Sequence, residues 1–209
     1  MDVQFYGANC ITIGTKQARI VIDDNLEELG KKSITKPDDI VLFTGAHGEP
    51  SQTPRLLIDH AGEYEVSDIV IYGLPVRGHI DEGSSQNNTA YKIIINDVRI
   101  LVTGHIYPEL SDRQLENMGI VDIMVVPVGG NGYTLDGTGA MQLIKKVEPK
   151  LVIPTHYADK TLSFPVPQGS LDDALANISL EVKETTDKLR IKSDNFGETM
   201  QLVVLSPAT

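Results

Sequence analysis

Short apolar runs closed by glycine or polar turns fill the first half of the chain. Val3-Gln4-Phe5-Tyr6 precedes Gly7, Cys10-Ile11-Thr12-Ile13 precedes Gly14, and Ala18-Arg19-Ile20-Val21-Ile22 runs into Asp23-Asp24. This spacing predicts an antiparallel meander. The polar, lysine-rich stretch from Asn25 to Asp39, broken by Pro37, predicts a loop with room for a short helical turn. Ile40-Val41-Leu42-Phe43 is apolar throughout, the mark of a buried strand, expected to be central and to carry the loop Thr44 to Pro50 at its carboxyl end. Further β runs follow at Arg55 to Asp59, Glu63 to Val66 and Asp68 to Val76. The Gly-, Ser- and Asn-rich segment Gly78 to Asn88 is expected to be a mobile loop. Beyond it, Thr89 to Ile95 and Val98 to Val102 flank Asn96-Asp97, the signature of a two-residue hairpin.

The period then changes. Ser111 is a candidate N-cap for a helix from Asp112 to Met118 with Gly119 as its stop, and Gly137 to Val147 places Met141, Leu143, Ile144 and Val147 at helical spacing. Between them lies the buried-strand pattern Val121 to Pro127, and after them Lys150 to Pro154. A short helix over Leu171 to Ala176 and β runs at Leu180 to Val182, Lys188 to Ile191 and Met200 to Leu205 complete the chain. Helices alternating with buried strands imply helices packed on a sheet face.

Composition narrows the classes. At 209 residues, 41% hydrophobic and 22% charged, the chain is expected to form a single domain over 1–209 with one substantial core. No stretch reaches the roughly 18 apolar residues of a membrane span. The start Met1-Asp2-Val3-Gln4-Phe5 lacks the basic and apolar regions of a signal peptide, and the lone Cys10 excludes an internal disulfide, so a cytoplasmic setting is expected. A net charge of -11 without a compensating Lys/Arg cluster argues against nucleic acid as a partner. Cys10 sits within a predicted strand and reads as a packed thiol rather than a nucleophile.

The loop Thr44-Gly45-Ala46-His47-Gly48-Glu49-Pro50 carries the candidate chemistry. It resembles the THxHxDH motif of the metallo-β-lactamase superfamily, with Thr44 and His47 in place, Glu49 standing for Asp, and Gly45 and Pro50 where that family carries His. Ala61-Gly62-Glu63-Tyr64-Glu65-Val66, Val126-Pro127-Val128-Gly129-Gly130 and Val152-Ile153-Pro154-Thr155-His156-Tyr157 extend the resemblance over nearly the whole chain, toward the lactonase-like branch of metal-dependent hydrolases. The resemblance implies an α/β (α+β) fold, a four-layer αββα sandwich of two mixed sheets with the site at one edge.

It also implies a set of site residues. His47, His79, His105 and His156 fall at or beside the family's metal-ligand positions, with His105 where the family has the carboxylate that bridges two metals. A neutral imidazole binds one metal through one nitrogen and cannot bridge two cations, so a dinuclear site is not expected. Three ring nitrogens and a water would suit one Zn²⁺ or another divalent transition metal, with Glu49 as general base on that water. The four rings are therefore expected to share a cleft that excludes His60. Two functions stay open: a metal-dependent hydrolase with an altered, at most mononuclear site, and a non-catalytic homologue that binds a small molecule or a protein and holds no metal. The sequence leaves the small molecule and the oligomeric state undefined and points to no membrane partner.

Overall fold

The computed structural model describes residues 1–83, 85–192 and 196–208; Ser84, inside the loop expected to be mobile, lies outside them. The opening meander is β1 (Asp2–Gly7), β2 (Cys10–Gly14) and β3 (Arg19–Ile22), paired antiparallel. The chain then makes one 3-10 turn, Leu26–Leu29, and returns as β4 (Ile40–Leu42) and β5 (Leu56–Ile58), both parallel to β3. With the short β13 (Leu189–Arg190) beside β1, these form a six-stranded sheet in the order β13-β1-β2-β3-β4-β5.

The second sheet begins as the antiparallel ladder β6 (Gly62–Val66), β7 (Ile69–Val76), β8 (Asn88–Ile95) and β9 (Val98–Val102). Asn96 and Asp97 both take positive φ, 48° and 66°, as a tight two-residue hairpin requires. The sheet continues in parallel through β10 (Ile123–Pro127), β11 (Leu151–Thr155), β14 (Gln201–Leu205) and β12 (Val182–Thr186). Helices α1 (Asp112–Met118), α2 (Gly137–Val147) and α3 (Leu171–Ile178) form the crossovers, and each is capped by the side chain before it: Ser111, Asp136 and Ser170.

Period-two alternation decides what each strand faces. In β3 and β4, Ile20, Ile22, Ile40 and Leu42 point between the sheets, packed in one cluster with Ile71, Tyr91, Ile93 and Ile100. Their neighbours Val21 and Val41 point outward with Cys10 and Phe43, under Leu26 and Leu162. The outer face of the second sheet is closed by Ala140, Leu143 and Ile144 of α2 and by Ala174 and Ile178 of α3. The result is the αββα sandwich, with one outer layer reduced to a 3-10 turn and loops. Each fully buried Ile or Val contributes roughly 1.5–3 kcal/mol of transfer free energy, so the inter-sheet layer dominates stability.

Two expectations need correction. Strand β4 is not central: it lies second from the edge, between β3 and β5. Its unbroken apolar run reflects burial on both faces, which position in the sheet does not determine. Strand β12 begins at Val182, where the apolar run was expected to end, and its exposed side chains suit an edge position. Among the described residues, no helix is long and apolar enough to cross a membrane.

Candidate functional site

The carboxyl ends of β4, β7, β9 and β11 and the turn between β1 and β2 meet at one edge of the sandwich. They border a cavity of about 680 Å³ lined by residues including Asn9, Asp23, Thr44, His79, His105 and His156. Its floor is held by Asp23, which closes β3 and is buried. The Thr44 backbone N–H and hydroxyl donate to its two oxygens at 2.7 and 2.6 Å. Burial still outweighs these bonds and raises the Asp23 carboxyl to about 6. Below the loop, the Tyr91 hydroxyl lies 3.1 Å from the Phe43 carbonyl and 3.2 Å from that of Ile58, tying the ends of β4 and β5 together.

His105 follows β9 through Thr103 and Gly104, and His156 directly follows β11 in a left-handed conformation with φ 54°. Their rings meet at 4.5 Å between centroids and 80° between planes. The Gln168 amide nitrogen donates to the Val166 carbonyl at 2.6 Å, which turns its oxygen toward His156 Nδ1 at 3.1 Å. His156 therefore carries its proton on Nδ1 and keeps a lone pair on Nε2. Asn9 performs a similar function for His105. The Thr155 hydroxyl donates to Asn9 Oδ1 at 3.0 Å, so the Asn9 amide nitrogen faces His105 Nε2 at 3.1 Å. His105 then accepts at Nε2 and carries its proton on Nδ1, a buried atom with no partner among the described residues.

Desolvation lowers both imidazoles, His105 to about 3 and His156 to about 4, with the neighbouring His156 and His79 adding to the effect at His105. Both rings are neutral at neutral pH. His79, after β7, is tied to this pair through the backbone: its N–H donates to the His105 carbonyl at 2.7 Å. Its Nδ1 is also buried without a partner among the described residues, and burial lowers its basicity.

His47 is placed differently from the other three. Its ring stacks on Phe43 with centroids 3.9 Å apart and 9° between planes, Nδ1 donates to the Gly48 carbonyl at 2.6 Å, and Nε2 lies 3.4 Å from Asp59 Oδ2. It does not line the cavity, and neither does Glu49, which is exposed. His60 lies outside the cleft, its side chain 71% exposed and its Nδ1 2.7 Å from Asp59. Gly45 lies beside Asn88, whose amide nitrogen would be 3.4 Å from a Cβ at position 45.

The donor chemistry suits a metal only in part. Neutral imidazoles are the form that ligates, and His156 keeps a free lone pair on Nε2. Yet among the described residues no three His, Cys, Asp or Glu side chains gather to hold an ion, and the His105 lone pair is engaged by Asn9. As placed, the cleft is a polar, aromatic-walled pocket rather than an assembled metal centre. Asn9, Asp23, Gln168, Tyr133 and Phe164 carry no motif in the sequence. Only the placement of Asp23 at the end of an apolar strand marked it.

The profile of the beta-lactamase superfamily domain matches residues 2–156. A metal-dependent hydrolase from Salinibacter ruber is 24% identical over 208 residues, covering 82% of this chain and 89% of its own length. A second metal-dependent hydrolase, from Carboxydothermus hydrogenoformans, is 42% identical over 45 residues, 22% of this chain and 20% of its own. Among solved structures, a protein assigned as a Zn-dependent hydrolase of the metallo-beta-lactamase superfamily from Thermotoga maritima superposes with a TM-score of 0.75 at 22% identity, covering 98% of each chain. Igni18, a metallo hydrolase from Ignicoccus hospitalis, gives 0.64 at 16% identity over 100% of this chain and 96% of its own. The chain belongs to the beta-lactamase superfamily and resembles its metal-dependent hydrolases.

Proposed function

We propose that this protein is a hydrolase-type member of the superfamily with an altered site that takes at most one divalent transition metal ion, Zn²⁺ being the first candidate. The supporting observation is the separation of the imidazoles: His105 and His156 stand ring to ring, while His47 is engaged by Phe43 and Asp59 outside the cavity. His156, His105 and His79 are the residues to which one ion would bind, after His105 gives up Asn9. A bound divalent ion would supply Lewis acidity and a more acidic water. The chain's own residues orient the rings through Gln168 and Asn9 and exclude solvent from them. Glu49 becomes a base only if the Thr44–Pro50 loop brings it inward. Metal analysis of protein purified without affinity tag or chelator tests this reading: one equivalent or less per chain is expected, and two would refute it.

A second reading, binding of a small molecule without turnover, is favoured by one observation: His105 Nδ1 is a buried donor with no partner among the described residues. Ligand binding that is unchanged by chelator, with no hydrolysis of ester, lactone or amide substrates before or after Zn²⁺ loading, would select it. Both readings keep the protein as a single domain that handles a small molecule.

A further inference from the structure

The cleft is lined by two kinds of side chain, aromatic rings and carboxylates. Phe164, His156, His105 and Tyr133 form one continuous ring wall, with successive centroids 5.2, 4.5 and 4.9 Å apart. All four line the cavity. The same lining carries three carboxylates, Asp23, Glu28 and Asp81, and among the described lining residues none is lysine or arginine. Glu28 is exposed and hydrogen-bonds no described side chain, whereas Asp23 is committed to Thr44 and Asp81 accepts from the Gly78 N–H at 3.1 Å. The chain as a whole is acidic, with 29 Asp and Glu against 18 Lys and Arg, so the surrounding field reinforces the local one.

Aromatic rings and carboxylates lining one cavity, with no lysine or arginine among the described lining residues, suit an organic cation. The ring quadrupoles attract positive charge at their faces, and the carboxylates supply Coulomb attraction without a strong hydrogen bond to a quaternary head. An anion would meet carboxylates and no compensating cation among the described residues. We propose that the cleft selects a small ligand carrying an ammonium or similar cationic group, seated on the Phe164–His156–His105–Tyr133 wall with Glu28 at the entrance. The inference rests on the reading of this cleft as the working site, but not on metal occupancy. A divalent ion held by His156 and His105 would repel an ammonium on the same wall, so the inference applies to the metal-free cleft.

Three probes that share a phenyl ring and differ in charge test it on full-length protein in chelator: benzyltrimethylammonium, benzyl alcohol and benzoate, followed by calorimetry and by amide NMR shifts. Benzyltrimethylammonium is expected to bind at least about tenfold more tightly than benzoate, with benzyl alcohol between them. Glu28→Gln is expected to weaken the cation by about three- to tenfold while leaving benzyl alcohol unchanged, and Phe164→Leu to weaken the cation by a similar factor. Benzoate binding as tightly as the cation, or cation binding indifferent to both substitutions, would overturn the proposal. Because metal is absent throughout, a chain that never takes Zn²⁺ still passes or fails on its own residues. A failure here leaves the stoichiometry argument intact.

Discussion

His105 and His156 meet edge to face, 4.5 Å between ring centroids, from the ends of two strands that flank β10. Burial lowers them to about 3 and about 4, whereas in an unfolded chain each titrates near 6.5. The unfolded state thus binds protons that the folded state refuses. Their contribution to stability is complete above pH 6.5 and is lost as pH falls from there toward the folded values, by up to about 1.4 kcal/mol per pH unit for each ring. Urea denaturation of chelated protein between pH 7.5 and 4.5 is expected to show this loss. His156→Asn, which tolerates the left-handed backbone, should flatten the slope, and an unchanged slope would exclude the ring as its source.

Asp23 acts in the opposite direction. Its folded value of about 6 lies above the ordinary 3.8 of an aspartate, so the folded protein takes up a proton there before the unfolded chain does. Acidification between those values stabilises the fold through this one group and opposes the histidines. A carboxyl carbon titrating near pH 6 in ¹³C NMR, absent in Asp23→Asn, is the expected signature. Asp23→Ala, which leaves the Thr44 N–H and hydroxyl unpaired, is expected to cost roughly 2–4 kcal/mol in thermal or denaturant unfolding.

Tyr91→Phe removes the hydroxyl shared by the Phe43 and Ile58 carbonyls without opening a cavity. A loss of about 1–2 kcal/mol is expected. Faster amide exchange confined to Thr44–Pro50 and the end of β5 would identify the hydroxyl as the tie beneath the loop. A uniform change across both sheets would not.

Gly104→Ala is expected to be more damaging than its size suggests. Gly104 has φ 58°, and a Cβ there would overlap the Thr44 side chain. The substitution strains the backbone and displaces Thr44 from Asp23, so a loss of about 2 kcal/mol or more is expected, with the His105 ring signals shifting in NMR.

The architecture was legible because periodicity is local. Runs such as Ile20 to Ile22 and Thr89 to Ile95 report their own burial, Asn96-Asp97 its own turn, and Ser111 its own cap. Sheet position was not legible, since Ile40 to Leu42 are equally buried beside an edge strand or in mid-sheet. At the site, the family resemblance pointed to His105, His156 and His79, which line the cleft, and also to His47, which does not. The orientation of His47 depends on Phe43 and Asp59, contacts made only after folding. Asn9 and Gln168 were invisible for a similar reason: each fixes a tautomer through a partner that is distant in sequence and becomes a neighbour only on folding.

At most one metal ion per chain is expected. Calorimetric titration of chelator-stripped, untagged protein with Zn²⁺ at pH 7.5 tests it most directly. A stoichiometry of one or below is expected, with any binding lost in His156→Asn and retained in His60→Asn. Two tight equivalents per chain would contradict the account.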